Sequence, residues 1–205
     1  MQRLPARPGY PHGDCISGLC GSCGGSHILE RRHAKAVNFG IVYGISEFSL
    51  SEDIGVTRWE ARDYIESYLA NYRGVKAYMK KVVEDARECG YTCTMYGRRR
   101  YIPELKSSNF NVRSGAERMT LNTPIQGTAA DLIKLAMIKV DAALRKHYPE
   151  AKLVLQVHDE LIVECPEGIA AEVAALVSRE MENVAVLNVP LTAEAKIGKS
   201  WFEAK

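Results

Sequence analysis

The run Arg31-Arg-His-Ala-Lys35-Ala-Val-Asn-Phe39-Gly-Ile-Val-Tyr43-Gly44 carries Arg31, Lys35, Phe39 and Tyr43 at strict intervals of four. On an α-helix a step of four overshoots a full circle by only about 40°, so the four project from one slowly drifting stripe. The stripe starts with two cations, where the helix dipole also favours negative charge and phosphates can be held. It ends with two rings that offer flat surfaces to a base or sugar. Arg31 to Tyr43 spans roughly 18 Å of axis, comparable to a nucleoside triphosphate laid alongside. An ordinary amphipathic helix, with the cations in water and the rings in the core, has the same period, and periodicity does not separate the two. Gly40 and Gly44 follow the rings directly. Each lowers helix propensity by roughly 1 kcal/mol relative to Ala, which suggests that a substrate or template strand comes close to the backbone there.

Three further stretches stand in order: YGRRRYIP at Tyr96–Pro103, AERMTLNTPIQGTAADLIKLAM at Ala116–Met137, and LQVHDELIVE at Leu155–Glu164. With R-x-x-x-K-x-x-x-F-G-x-x-Y-G, this series resembles the DNA polymerase I family (family A DNA polymerases), the first run being similar to the nucleotide-binding helix of its fingers. The likeness extends from about Arg31 to Trp201, and its specificity lies in the joint match.

The chain has 205 residues, enough for a sizeable core, and a formal net charge of +2, so any basic surface must come from clustering. No apolar stretch approaches the ~20 residues that cross a bilayer. No apolar segment of signal-peptide length follows the first arginines, so a cytoplasmic, membrane-free, monomeric protein is expected. Cys89, Cys93 and Cys165 are scattered, which suits reduced thiols.

The expected fold class is α+β. Thr57 with Glu60 forms a capping box ahead of a helix, and a second helix over about Val75–Glu88 ends at Gly90. Tyr91–Met95 and Arg100–Ile102 read as a β-hairpin. A helical stretch runs through Met119, and Thr123-Pro124 suits the start of a new helix reaching about His147. Leu153–Val157 and Glu160–Glu164 read as buried strands of a second antiparallel hairpin, followed by a helix near Ala170–Asn183 and a strand near Leu191–Ile197. This layout implies a helical fingers-like part (about 30–110) packed on a partial palm (about 111–205) within one polymerase region, 30–205. Residues 1–29 are Gly-, Pro- and Cys-rich, are outside the resemblance, and read as a disordered tail. Cys20-x-x-Cys23, with His12, Cys15 and His27, has zinc-ligand spacing but no second well-spaced pair, so a tail without zinc is the preferred reading.

A tight turn at His158-Asp159-Glu160 places carboxylates on an exposed tip with a rigid base, which suits a metal. Mg²⁺ takes one or two carboxylates plus substrate phosphates. The resemblance implies that Asp159 is a metal ligand, Glu160 a supporting acid and His158 a contact near the primer end. It also implies that Lys35 neutralises the triphosphate and serves the leaving group. Arg118, Asn122 and Gln126 recur at intervals of four. The family's matching positions touch template–primer DNA through sugars and minor-groove edges, where readout is nearly sequence-blind. Arg98 and Arg99 suit phosphate contacts. An ordinary polar turn and a solvated helix face are the plain alternatives at these two places.

The family's site joins carboxylates from separate strands, the first in a D-Y-S-Q-I-E-L-R-like strand that this sequence does not contain. With one carboxylate gone, two adjacent dications lose the anion that bridges them, so the chain alone is expected to polymerise little. The leading expectation is therefore a fingers-and-palm part of a polymerase that adds deoxynucleotides, using Mg²⁺, to a primer on template DNA. A non-catalytic nucleotide- or DNA-binding remnant and a relative of single-subunit RNA polymerases are the alternatives. Phe39 and the Val157-His158-Asp159-Glu160 string favour the DNA enzyme.

Overall fold

Capping chemistry sets the helix boundaries of the computed structural model, which describes residues 27–204, with side chains from Arg31 onward except Arg32. Most of the expected disordered tail, and the expectation that it holds no zinc, fall on residues 1–26, outside the described residues; His27–Leu29, which that tail included, are helical instead. The chain divides into two compact units, one holding the described residues up to Thr92 with Arg99–Thr123, the other Cys93–Arg98 and everything from Pro124 on.

In the first unit α1 spans His27–Val42, α2 Glu47–Ile54, α3 Arg58–Asn71 and α4 Arg73–Cys89. The Ser46 hydroxyl caps α2 by accepting from Ser49 N–H at 3.1 Å. The expected capping box opens α3: Thr57 N–H donates to Glu60 Oε2 at 2.8 Å, and Glu60 N–H donates to Thr57 Oγ1 at 3.3 Å. These two bonds satisfy orphan donors of the first turn, and the Thr57 donors hold the Glu60 carboxyl below its ordinary pKa. Helix α4 stops at Gly90 as expected. Val37 and Ile41 of α1, Leu50 and Ile54 of α2, and Ala61 and Tyr68 of α3 form one apolar core. A smaller core gathers Ala86, Ile102, Leu105 and Ala116.

Strands β1 (Tyr91–Cys93) and β2 (Arg99–Tyr101) pair as the expected hairpin, β1 ending two residues early and β2 lying one residue earlier than the sequence suggests. The expected break at Thr123-Pro124 does not occur. A single helix, α5, runs over Phe110–His147, 38 residues with Pro124 inside. A proline there deprives the Thr120 carbonyl of its donor, at about 3 kcal/mol. The helix continues because its flank is anchored: Ala116 and Thr120 are fully buried and Leu121 is nearly so. The Thr120 and Thr123 hydroxyls also donate back to the carbonyls four residues earlier, at 2.8 and 2.7 Å.

The second unit contains β3 (Lys152–Val157), β4 (Glu160–Glu164) and α6 (Ala170–Glu182). The strands are antiparallel with Val157 opposite Glu160, which leaves a two-residue loop, and the register shifts between Leu153 and Leu155. Leu153, Leu161 and Val163 pack against Val140 and Leu144 of α5 and Val173, Leu176 and Val177 of α6. The expectation of two buried strands is only half right. Val154 is 51 % and Leu155 47 % exposed, because helices cover one face of this two-stranded sheet and the bulge turns side chains out of strict alternation. Residues 191–197 do not form the expected strand. A strand needs a neighbour to exchange ladder bonds, and here Ala193 N–H instead donates to the Glu182 carboxylate at 3.1 Å.

Candidate functional site

The buried side of α1 is Ala34, Val37 and Ile41, each at most 4 % exposed, and this fixes the helix phase so that the stripe faces outward. Arg31 and Lys35 are exposed, and Phe39 is 51 % exposed rather than in the core. The Lys35 ammonium lies 5.7 Å from the Phe39 ring centroid. The Phe39 and Tyr43 rings are 6.5 Å apart and nearly parallel, at 17°. Cation, ring and ring thus stand in line on one surface, as the spacing predicts.

Tyr43 lies one residue beyond the end of α1, although its N–H still donates to the Phe39 carbonyl at 3.0 Å. Gly44, at φ +75°, ends the helix in the left-handed conformation. Gly44 N–H bonds Ile41 O at 2.9 Å and Ile45 N–H bonds Gly40 O at 2.8 Å, the paired bonds of a Schellman cap. The space beside each glycine is taken by protein. A Cβ on Gly40 would meet Ile45 Cγ2 at 3.0 Å, and one on Gly44 would meet Leu121 Cδ1 at 3.1 Å and Arg118 Cγ at 3.3 Å. The expectation that a bound strand explains these glycines is therefore replaced by a helix cap and close packing.

A contact that the periodicity did not reveal fixes the same helix. The Tyr68 hydroxyl of α3 donates to Asn38 Oδ1 at 2.6 Å. Burial pushes the Tyr68 pKa up, with a smaller contribution from Tyr72, so the hydroxyl stays a donor. The sequence signal was an amide one position before Phe39, between the stripe and the core face, with nothing to name its partner.

In the second unit His158, Asp159 and Glu160 are exposed at the β3–β4 turn. His158 has φ +53°, unusual for a residue with a side chain. Gln156 Nε2 donates to the His158 carbonyl at 2.6 Å and braces the turn. Trp201 Nε1 donates to Glu160 Oε2 at 3.4 Å, which leaves Asp159 outward at the tip. Carboxylate oxygens on a braced, exposed turn fit a hard cation such as Mg²⁺. Among the described residues no three His, Cys, Asp or Glu side chains are grouped to hold a metal by themselves.

Arg118, Asn122 and Gln126 all lie on α5. In the first unit Arg118 is exposed with its stem against Gly44, while Asn122 is half-buried and its Oδ1 has no hydrogen-bond partner. Gln126, in the second unit, is exposed. The arginines of the β1–β2 hairpin already have partners. Arg98 bonds Asp131 and the Gly127 carbonyl, Arg99 lies 4.7 Å over the Tyr91 ring, and Arg100 reaches Met119 Sδ at 3.3 Å. No described helix is long and apolar enough to cross a membrane.

DNA polymerase I of Bacillus subtilis (strain 168) is 54% identical over 175 residues, which cover 85% of this chain and 20% of that protein. The enzyme of the same name from Lactococcus lactis subsp. cremoris (strain MG1363) is 50% identical over 176 residues, covering 86% of this chain and 20% of that protein. The chain thus spans about a fifth of the length of the relatives it matches. Among solved structures, the POL domain of Pol1 from M. smegmatis, in complex with DNA primer-template and dNTP, matches with a TM-score of 0.81 and 46% identity. That match covers 85% of this chain and 31% of the other. The family model for DNA polymerase family A matches residues 26–203. The outward stripe of α1, the carboxylate turn and α5 therefore stand in a chain that belongs to the family A DNA polymerases.

Proposed function

We propose that this chain supplies the fingers and part of the palm for template-directed addition of deoxynucleotides to a primer 3′ end. It would act as a monomer in the cytoplasm, with template–primer DNA and deoxynucleoside triphosphates as partners. The observation that carries this reading is the alignment of exposed Lys35 and Phe39 on α1 with half-buried Tyr43 just past its end. Arg31 and Lys35 hold the triphosphate by charge-assisted bonds. The Phe39 face supports the base, and Tyr43 closes the far end of the stripe. As the primer 3′ oxygen bonds the α-phosphorus and the bond to pyrophosphate breaks, the Lys35 ammonium offsets the charge gathering on the leaving group. Asp159, with Glu160 beside it, would offer carboxylate oxygens to Mg²⁺, which when bound would supply charge stabilisation to the reacting phosphates. Arg118 and Asn122 in the first unit, and Gln126 and His158 in the second, would each contribute contacts to template–primer DNA.

Titration of a fluorescent deoxynucleoside triphosphate against the full chain tests the stripe. Lys35→Ala is expected to weaken triphosphate binding about tenfold or more while leaving nucleoside binding unchanged. Equal loss for both ligands removes Lys35 from the phosphates and defeats the reading. A non-catalytic nucleotide- or DNA-binding role is the second reading, favoured by the turn's single adjacent carboxylate pair, Asp159 and Glu160. A primer-extension assay separates the two: Mg²⁺-dependent incorporation selects the polymerase, and binding without incorporation selects the second role.

A further inference from the structure

Residues 93–98 and the stretch of α5 after Pro124 belong to the same unit, and one face of that helix holds the turn. Pro124, Gly127, Thr128 and Asp131 recur at the three- and four-residue spacing of a single helical stripe, and all four join the network. Arg98 Nε donates to Asp131 Oδ1 at 2.7 Å and its Nη2 donates to the Gly127 carbonyl at 2.8 Å. Met95 N–H donates to Thr128 Oγ1 at 3.0 Å, and that hydroxyl donates to the Pro124 carbonyl at 2.5 Å. Inside the turn, the buried Thr94 oxygen accepts from the N–H groups of Tyr96 and Arg98, both at 3.3 Å. The Asp131 side chain is 12 % exposed, against 52 % for Arg98.

We propose that Asp131 is a positioning residue with Arg98 as its strut, the pair fixing the Met95–Gly97 turn beside Gln126 on α5. Arg98 directs its charge to Asp131 rather than to a DNA phosphate. This rests on the reading of α5 as a DNA-facing helix. The strut grips the helix at the carbonyl next to Gln126, so turn and Gln126 form one preorganised surface. The burial of Asp131 strengthens the argument. A carboxylate this enclosed, with Oδ2 already lacking an aligned donor, does not readily release its cation to an exposed partner. The nearby Thr94 hydroxyl, and then Arg98, hold its pKa below the ordinary value, so it is charged at neutral pH. Thr94 stabilises that charge by proximity without an aligned bond to Oδ2.

The test uses the full chain and a fluorescently labelled primer–template duplex, with binding followed by anisotropy over a series of KCl concentrations. With a strut, Arg98→Gln, Arg98→Lys and Asp131→Asn all lose affinity to the same extent, and the double variant Arg98→Gln/Asp131→Asn binds no more weakly than either single one. The slope of log K against log[KCl] then stays at the wild-type value, because no phosphate contact has gone. Lysine keeps the charge but lacks the planar fork. With a phosphate contact instead, Arg98→Gln reduces the slope by about one. Arg98→Lys then binds like wild type, and Asp131→Asn binds as well or better, which overturns the proposal. If the wild-type chain shows no salt-dependent binding, the DNA-facing reading of α5 fails, and thermal denaturation decides on the strut alone. Single variants melting about 2–4 °C lower, with a double variant no lower than Arg98→Gln, support it. Additive or absent shifts overturn it.

Discussion

Replacing Gly44 by alanine separates a structural glycine from one kept bare for a ligand. Gly44 sits at φ +75°, where a residue with a Cβ pays about 1–2 kcal/mol. The added methyl would lie 3.1 Å from Leu121 Cδ1 and 3.3 Å from Arg118 Cγ. Leu121 is 7 % exposed and has little room to withdraw, so overpacking adds about 1–2 kcal/mol. Together Gly44→Ala is expected to destabilise the chain by about 2–4 kcal/mol, a fall in Tm on the order of 10 °C. Gly40→Ala is the internal control. It lies inside α1, where alanine gains about 1 kcal/mol of propensity. It must also displace the Ile45 side chain from 3.0 Å, and the two effects nearly cancel. Thermal denaturation by far-UV circular dichroism reads both variants. A Gly44→Ala chain as stable as wild type that no longer binds nucleotide would refute the reasoning and return the glycine to the ligand.

Three further outcomes are expected. Tyr68→Phe removes the donor to Asn38 Oδ1 and is expected to cost about 1–2 kcal/mol in urea denaturation; an unchanged midpoint would mean that the bond does not fix α1. Thr57→Ala breaks the reciprocal cap of α3 and is expected to cost about 1 kcal/mol, whereas Thr57→Ser keeps most of it; equal loss for both counts against the cap. The Asp131 carboxyl has a folded pKa below its ordinary 3.8, so the unfolded chain takes up that proton first. The stability it contributes is complete above the unfolded value and fades as pH falls through the folded one. Urea midpoints measured at neutral and acid pH should therefore fall more for wild type than for Asp131→Asn, and parallel falls would exclude this linkage.

Local chemistry was legible from the sequence. The capping box at Thr57 and Glu60, the Gly90 stop, both hairpins and the four-residue spacing of the α1 stripe depend on neighbours within one or two turns. Their residue types therefore determined them, and the joint motifs carried the family. Long-range packing decided the rest. Pro124 does not end α5, because the buried flank around Ala116, Thr120 and Leu121 outweighs a missing backbone bond. Gly40 and Gly44 face Ile45, Leu121 and Arg118, of which only Ile45 is close in the chain. The partner of Asn38 is 30 residues away and that of Arg98 is 33, separations over which no period or propensity runs. Residues 191–197 failed as a strand for the same reason: a strand is defined by the neighbour it pairs with, and that neighbour is chosen by the tertiary fold.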